Sequence, residues 1–178
     1  TFYNSFARTY EGHGSDRAIV AGLLGLATDD VGIKNAFDLA GPQGLAYTFR
    51  SVGNASTLHP NSIRLQLQAG ERSVEVLGES RGGGLINIAE VDGFRADFSA
   101  QLHTLMLKAE DVKGTIAFVA DVLANEDCNI ATMNVSRKGK HDLACHFIEM
   151  DSALHPIALE YLRHLKWVKE VIYISPGQ

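Results

Sequence analysis

The 178-residue sequence predicts an α+β protein made of two lobes. The first lobe, residues 1–100, combines an apolar helical stretch with a run of short alternating strands, which is an α/β pattern. The second lobe, residues 101–178, has the order strand, helix, strand, strand, helix, strand. That order is the ferredoxin-like split unit. The hydrophobic rhythm changes near residues 99–101, and we place the boundary there.

The first lobe opens with a short strand candidate at residues 2–9 and a glycine-flanked loop. An apolar helix is predicted from about residue 16 to residue 27. Asp30 then has the position of an N-cap for a second helix. This helix is expected to stop at Gly41-Pro42, because that pair ends helices.

Five strands are predicted in the rest of the first lobe. Apolar residues at every second position, as in Ile63, Leu65 and Leu67, give each strand one face for a core. Asp92-Gly93 between two such runs predicts a tight hairpin turn. The strands are expected at residues 46–50, 62–68, 73–80, 85–91 and 94–99.

The second lobe has the more regular pattern. A stripe of apolar residues with helical spacing predicts a helix over residues 113–125, formed by Ile116, Val119, Ala120 and Leu123. Strands are expected at residues 102–108, 130–137, 142–150 and 168–174, with a turn at Lys138-Gly139-Lys140-His141. A second helix is predicted to have one apolar face, made of Leu154, Ile157, Ala158, Tyr161, Leu162 and Leu165.

Composition and charge exclude several classes of function. The chain is 46% hydrophobic and 21% charged, with a formal net charge of −5. It is therefore too apolar for a disordered chain, and it lacks the positive field that attracts nucleic acid or anionic lipid. The apolar stretch at residues 18–27 is too short to span a bilayer. We expect no nucleic-acid or membrane partner.

Cys128 and Cys145 are the two cysteines of the chain. Both lie in apolar surroundings, which predicts buried reduced thiols and favours the cytoplasm as the compartment. Two cysteines cannot supply the four thiolates of an iron–sulfur cluster, and no histidine lies at zinc-finger spacing from them. We expect no complete metal site in this chain.

The stretch Gly12-His13-Gly14-Ser15-Asp16 leads into the first predicted helix. Its amides and the positive end of the helix dipole could hold a carboxylate or phosphate, and the glycines would let a ligand approach the backbone. The same residues also suit an ordinary helix cap. The glycine spacing matches neither a phosphate loop nor a dinucleotide fingerprint.

Other loops combine polar side chains with glycine or proline. They are His59-Pro60-Asn61, Gly82-Gly83-Gly84, the connection from Asp111 to Gly114, and the connection through Asn129 and Ile130. Each could contact a small ligand, and each also suits a plain turn, cap or connection. The last two flank the first helix of the second lobe, where loops on one sheet edge can form a small-molecule pocket.

Several of these motifs occur together in one order. They are Asn4-Ser5-Phe6-Ala7, Thr9-Tyr10, Gly12-His13-Gly14-Ser15-Asp16, Gly22-Leu23-Leu24, His59-Pro60-Asn61-Ser62-Ile63-Arg64 and Gly82-Gly83-Gly84. In this combination the sequence resembles the beta subunit of the bacterial iron–sulfur-dependent L-serine dehydratase over nearly the whole chain. From about Leu105 onward it resembles an ACT domain, a module that senses small molecules.

The resemblance implies a share in a lyase that converts L-serine into pyruvate and ammonia. In that family a 4Fe-4S cluster acts as the Lewis acid and is ligated by cysteines of the alpha subunit, which would be the partner of this chain. The first lobe resembles the allosteric substrate-binding domain of some phosphoglycerate dehydrogenases. The substrate-facing residues would then be His13, Gly14, Ser15, Asp16, His59 and Asn61. The effector loops of an ACT-mediated dimer would contain Asp111, Gly114, Asn129 and Ile130.

Two features depart from the family pattern. Family beta chains begin with a further segment that contains Ser-Ser-Ser-His-Thr, so this chain is expected to be N-terminally truncated. The ACT loop of the family has proline before its glycine, where this sequence has Lys113. Two other interpretations stay open, a stand-alone amino-acid-binding regulatory protein and a detached regulatory part of a serine-pathway dehydrogenase.

Overall fold

The computed structural model describes residues 1–139 and 142–176. In these residues ten strands form two sheets, accompanied by five α-helices and one 3₁₀ helix. The protein is therefore α+β, as predicted. Within the same residues no helix has the length and hydrophobicity needed to cross a bilayer. The predicted turn at Lys140 and His141 lies outside the described residues.

The first sheet contains the strands up to residue 98. They are β1 (Phe2–Tyr3), β2 (Ser51–Val52), β3 (Ser62–Ala69), β4 (Arg72–Gly82), β5 (Leu85–Val91) and β6 (Phe94–Phe98). Their order is β2-β1-β3-β4-β5-β6, with β1 and β2 parallel and the other neighbours antiparallel. Between β1 and β2 the chain forms α1 (Phe6–Thr9), α2 (Ser15–Leu23), the 3₁₀ helix Val31–Asn35 and α3 (Ala36–Ala40).

The second sheet contains the remaining strands. They are β7 (His103–Glu110), β8 (Ile130–Arg137), β9 (Leu143–Met150) and β10 (Val168–Ile174), with helices α4 (Thr115–Asn125) and α5 (Pro156–Arg163). The strands are antiparallel in the order β10-β7-β9-β8. The predicted order of strands and helices is therefore confirmed.

The second sheet is covered on both faces. Alternate strand residues, such as Leu105, Leu107 and Ile148, pack against α4 and α5. The residues between them face the first sheet, because successive side chains of a strand point to opposite faces. There the rings of Phe98 and Phe147 stack with centroids 5.6 Å apart. The two sheets thus share one apolar core.

A buried carboxylate reinforces this junction. Glu149 of β9 is buried and accepts hydrogen bonds from the Ser99 amide and hydroxyl, both 2.8 Å, and from the Thr132 hydroxyl, 2.7 Å. A buried carboxylate without such partners would be strongly destabilising. Glu149 therefore ties the segment between the sheets to the edge strand β8.

The start of the chain differs from the prediction. Residues 2–9 form β1 and then α1 rather than one strand, because Asn4 has a φ of 53° and turns the chain. The Asn4 side chain fixes this turn, since it accepts from the Ala55 amide at 2.7 Å and donates to the Ala55 carbonyl at 3.0 Å. This contact joins residues 51 positions apart and has no local sequence signal.

Three other predicted features differ. Residues 46–50 are not a strand, and Phe49 packs against the core of α2 and α3 instead. Helix α2 ends at Leu23 rather than residue 27, since Gly25 has a φ of 78°. On α5, Ile157 and Tyr161 are 73% and 50% exposed, so the predicted apolar face is narrower than expected.

Other local predictions are confirmed. Asp30 caps the 3₁₀ helix by accepting a hydrogen bond from the Gly32 amide at 2.6 Å. Asp92 and Gly93 have φ values of 50° and 75°, the conformation that a tight hairpin turn requires. Strands β5, β8 and β10 have the predicted bounds.

Candidate functional site

The first group of candidate residues lies around the short helix α1. The Phe6 amide at its start donates to the Pro60 carbonyl at 3.3 Å, and the Ser15 amide donates to the Tyr10 carbonyl just after its end at 2.9 Å. A four-residue helix is only about 6 Å long. The loop at residues 59–61 and the loop at residues 12–16 therefore flank the same helix.

His59 and Asn61 are half-buried and orient each other. The Nδ1 atom of His59 accepts from the Asn61 amide at 3.2 Å, so the neutral imidazole carries its proton on Nε2. The Asn61 side-chain oxygen accepts from the Ser5 hydroxyl at 2.8 Å. Within the described residues, His59 Nε2 and Asn61 Nδ2 have no hydrogen-bond partner. The loop thus leaves two N–H donors available to a carboxylate.

Three supporting residues were not predicted as site residues. Asn4 Nδ2 donates to the carbonyls of Leu58 and His59, at 3.3 and 3.4 Å, and the Ser62 hydroxyl donates to the His59 carbonyl at 2.8 Å. Ser5 holds Asn61, as described above. Asn4 and Ser5 stand in the sequence motifs, but their contact with residues 58–61 spans more than fifty positions. No spacing rule could have found it.

Several backbone amides at the N-terminus of α2 already have hydrogen-bond acceptors within the chain. At the start of α2, the Ser15 amide is bound by Tyr10, and the Arg17 amide donates to Asp16 Oδ1 at 2.8 Å. The Asp16 side chain is buried, where it complements the positive end of the helix. An incoming anion would meet this carboxylate. The geometry supports the capping interpretation for Asp16 and leaves His13 exposed beside it.

The glycine run makes the turn between β4 and β5. Gly82, Gly83 and Gly84 have φ values of 86°, 61° and 81°, which residues with a side chain rarely adopt. Leu85 and Ile86, which follow them, are 49% and 45% exposed. The turn interpretation accounts for all three glycines.

The candidate loops of the second lobe lie at opposite ends of their sheet. Glu110, just before one loop, pairs with Leu143, whereas Ile130, just after the other, pairs with Met150. Seven strand steps separate these ends, a distance of about 24 Å. The two loops do not meet within one chain, and a pocket built from both would need a second copy.

Each of these loops has its own local contacts. Asn129 Nδ2 donates to Asp151 Oδ2 at 2.6 Å, and Asp111 forms an ion pair with Arg137 at 3.0 Å. Asp111 and Gly114 also border a pocket of about 510 Å³ between α4 and the sheet. A separate groove of about 1390 Å³ runs between β3 and β10 and contains none of the candidate residues.

The two cysteines cannot hold one iron–sulfur cluster. Both are free and buried, as predicted, but Cys128 belongs to the core beneath the helices and Cys145 to the core between the sheets. Burial raises the pKa of the Cys145 thiol to about 12. In residues 1–139 and 142–176, no three His, Cys, Asp or Glu side chains converge as metal ligands. The described part of the chain does not fit a 4Fe-4S cluster.

Comparison with known proteins finds similarities to L-serine dehydratase beta chains and to part of D-3-phosphoglycerate dehydrogenases. The chain is 38% identical over 175 residues to the probable L-serine dehydratase beta chain of Bacillus subtilis, which covers 98% of this chain and 79% of the relative. It is 33% identical over 153 residues to the L-serine dehydratase beta chain of Peptoniphilus asaccharolyticus, covering 85% and 69%. No protein-family model matches the chain.

One of the partial similarities is to D-3-phosphoglycerate dehydrogenase of Bacillus subtilis. Here the identity is 27% over 168 residues, which covers 89% of this chain and 30% of that protein. The match therefore concerns a minor part of the dehydrogenase.

Proposed function

This chain belongs to the family of L-serine dehydratase beta chains, and we propose that it is the beta subunit of an L-serine dehydratase. The reaction is a lyase reaction. L-Serine loses water to give an enamine, whose imine form takes up water and releases pyruvate and ammonia. The beta-chain names of both relatives support an alpha subunit as the partner, and they favour this function over that of a stand-alone amino-acid-binding regulatory protein.

The paired donors of the loop at residues 59–61 carry the proposal for this chain's part. His59 Nε2 and Asn61 Nδ2 are N–H donors whose own loop is held by Asn4 and Ser5. Two such donors suit the carboxylate of serine, because hydrogen bonds to an ionised acceptor are the strong ones. We assign His59 and Asn61 to orienting serine at a cleft shared with the alpha subunit.

The proposal also includes the other residues predicted to face the substrate. His13, Gly14, Ser15 and Asp16 border the same cleft from the far end of α1. A 4Fe-4S cluster belongs to the complex, with its thiolates supplied by the alpha subunit, since the described residues of this chain do not fit it.

We also propose that the chain consists of two domains. Residues 1–100 form a domain like the allosteric substrate-binding domain, and residues 101–178 form an ACT domain that dimerises. The order β10-β7-β9-β8 supports the ACT assignment, because it is that of a split β-α-β-β-α-β unit. In the dimer, Asp111 and Gly114 of one copy would approach Asn129 and Ile130 of the other.

Anaerobic production of pyruvate from L-serine tests this function. The chain is mixed with its cognate alpha subunit, and each is also assayed alone. Activity in the mixture alone is expected. Full activity of the alpha subunit alone would overturn the proposal.

Variants then test the site. His59→Ala should raise the KM for serine about tenfold to hundredfold, the worth of one hydrogen bond to a charged group, while the complex still assembles. His59→Gln, which keeps a side-chain N–H, should recover part of the loss. His164→Ala, at an exposed histidine after α5, is the control and should leave KM unchanged. An unchanged KM in His59→Ala would remove His59 from the site.

A further inference from the structure

The groove between β3 and β10 has the features of a protein-docking surface that the proposed function does not assign. We call it the β3 groove. It is bounded by residues 63–69 of β3, by residues 168–172 of β10, and by residues 45–50 together with the C-terminal half of α2. Its volume of about 1390 Å³ exceeds the usual range of small-molecule sites, about 300–1,000 Å³. The β3 groove therefore fits a polypeptide segment better than a metabolite.

The floor of the β3 groove is apolar and open to solvent. Leu65 and Leu67 lie on the same face of β3, because they are two positions apart, and both are half-buried. Leu23 of α2 and Tyr47 line the same groove and are 41% and 40% exposed. Apolar side chains that cluster at the surface are typical of interaction sites, since covering them removes apolar area from water.

Most basic side chains of the groove already have acidic partners. They form the ion pairs Arg64–Glu75, Arg64–Glu90, Lys108–Asp92, Lys108–Glu170, Arg163–Glu160 and Lys169–Glu110.

Arg50 and Arg72 differ from these paired cations. Both are exposed, and among residues 1–139 and 142–176 neither guanidinium has a hydrogen bond or an ion pair. Glu71 also lines the groove, so the two arginines leave an excess of positive charge. On a chain with a net charge of −5, this local reversal of sign favours an acidic partner.

The two arginines stand at opposite ends of the groove. The Phe2 amide donates to the Arg50 carbonyl at 2.8 Å, and Phe2 pairs with Ile63 near the start of β3. Arg72 pairs with Ala69 at the end of β3. Six strand steps separate Ile63 from Ala69, a distance of about 20 Å. A metabolite of the size of serine cannot span this distance, whereas a short polypeptide segment can.

The β3 groove continues from the loops that we propose to orient serine. Strand β3 begins at Ser62, directly after the loop at residues 59–61, and then runs along the groove. Helix α2 begins at Ser15 in the loop at residues 12–16 and reaches the groove with Ile19 and Leu23. Both elements therefore connect a candidate loop to the groove, and a subunit that closes over the loops lies in line with it.

We propose that the β3 groove is the docking surface for the alpha subunit, which places an amphipathic segment there. The apolar side chains of this segment pack on Leu23, Leu65 and Leu67, and acidic residues near its two ends pair with Arg50 and Arg72. The inference rests on the proposed function for the identity of the partner. It adds the surface that holds the partner, which is separate from the side chains that contact serine.

Association of the purified alpha subunit with the intact chain, measured by biolayer interferometry, tests the apolar part of this surface. Leu23→Asp places a charge at an exposed position of the groove and should weaken binding at least about tenfold, because it removes one apolar contact. Ile157→Asp makes a similar change at a 73% exposed residue of α5, outside the groove, and should leave the affinity unchanged. Equal affinity of Leu23→Asp and the unaltered chain overturns the proposal.

A double variant tests the charged ends. Arg50→Glu combined with Arg72→Glu should weaken binding at least about tenfold at low salt, mainly through slower association. The difference should shrink at about 1 M salt, because salt screens exposed charges. Arg95→Glu is the matched control, since Arg95 is exposed on β6 and lies outside the groove. Equal affinity of the double variant and this control overturns the acidic segment as the occupant.

Analytical ultracentrifugation of the chain alone tests a second copy as the occupant. Leu23→Asp and the unaltered chain should have the same mass. A lower mass of the variant would assign the groove to a second copy and would overturn the alpha subunit as the occupant.

Serine turnover separates this inference from the proposed function. With the alpha subunit in saturating excess, Leu23→Asp should keep the KM of the unaltered complex, whereas His59→Ala raises KM without weakening association. Groove variants that bind normally therefore overturn the docking surface and leave the lyase proposal intact. An unaltered chain that neither binds nor activates the alpha subunit overturns both.

Discussion

Helices α2 and α4 both begin after a glycine in the left-handed conformation, with φ values of 69° at Gly14 and 89° at Gly114. Their first turns then differ. At α2 the chain fills its own amides with the Tyr10 carbonyl and the Asp16 carboxylate. At α4 the amides at 115–117 have no acceptor among residues 1–139 and 142–176, and the Nδ1 atom of the nearby His146 has no partner there either. A glycine before a helix therefore does not make an anion site, and what matters is whether the chain itself has used the amides.

The largest expected effect tests what the two helix starts have in common. Gly14→Ala and Gly114→Ala should each lower the free energy of unfolding by about 1–2 kcal/mol, because an alanine is strained at these φ values. Neither added Cβ would contact another atom within 4 Å, so the strain acts alone. Urea unfolding measures both variants. A loss at one glycine and none at the other would show that the starts are not equivalent.

Asp16→Ala tests the self-capping of α2. It removes the acceptor of the Arg17 amide and a carboxylate at the positive end of the helix, and should lower the free energy of unfolding by about 1 kcal/mol. Asp16→Asn keeps an acceptor and should lose less. Chemical unfolding measures both variants. An unchanged free energy of unfolding in Asp16→Ala would show that Asp16 does not stabilise the N-terminus of α2.

Lowering the pH should reduce the stability of the fold through His146, which lies beside α4. Burial lowers the pKa of His146, and the nearby Asp111 partly opposes the shift. The native state thus binds fewer protons than the unfolded chain, whose histidines titrate near pH 6.5. The stability is complete above about pH 6.5 and falls as the pH drops towards the lower native pKa. His146→Phe should flatten this slope in unfolding curves between pH 5 and pH 8, and an unchanged slope would contradict the assignment.

The smallest expected effect is a gain. Ile116→Glu places a carboxylate in the first turn of α4, which has no acidic residue, and should raise the free energy of unfolding by about 0.3–1 kcal/mol. Ile157→Glu should raise the free energy of unfolding by less, because the Ile157 amide on α5 already donates a hydrogen bond to His155 Nδ1 at 3.2 Å. Thermal unfolding compares the two. Equal gains would mean that the amides of α4 are no more available than those of α5.

Much of the fold could be predicted because its signals are local. Strands β5, β8 and β10 follow from alternating apolar residues between turns, and the β5–β6 hairpin follows from Asp92-Gly93. The errors arise where distant contacts override local preference. The predicted first strand ends at Asn4, whose side chain accepts a hydrogen bond from the distant Ala55 amide. Tyr47 lies in no strand, because its ring stacks on Phe37 with centroids 5.3 Å apart.

The candidate sites show the same limit. His59 and Asn61 could be selected as candidates, because a proline between two polar side chains is visible in the sequence, and their role stays a prediction. His146 could not, since it stands in the apolar strand β9 and has the pattern of an ordinary core residue. In the part of the chain that the structure describes, its Nδ1 atom lacks a partner, and this becomes apparent only when β9 and α4 are packed together.

The core shared by the two sheets has a consequence for how the molecule comes apart. Separating the chain after residue 100 would expose Met106, Cys145 and Phe147, which the first sheet now covers, and would strand the Glu149 carboxylate without Ser99. The sheets should therefore melt cooperatively, as a single calorimetric transition, and neither half should behave as an autonomous folding unit. A substitution that destabilises either half should therefore lower the stability of the whole chain.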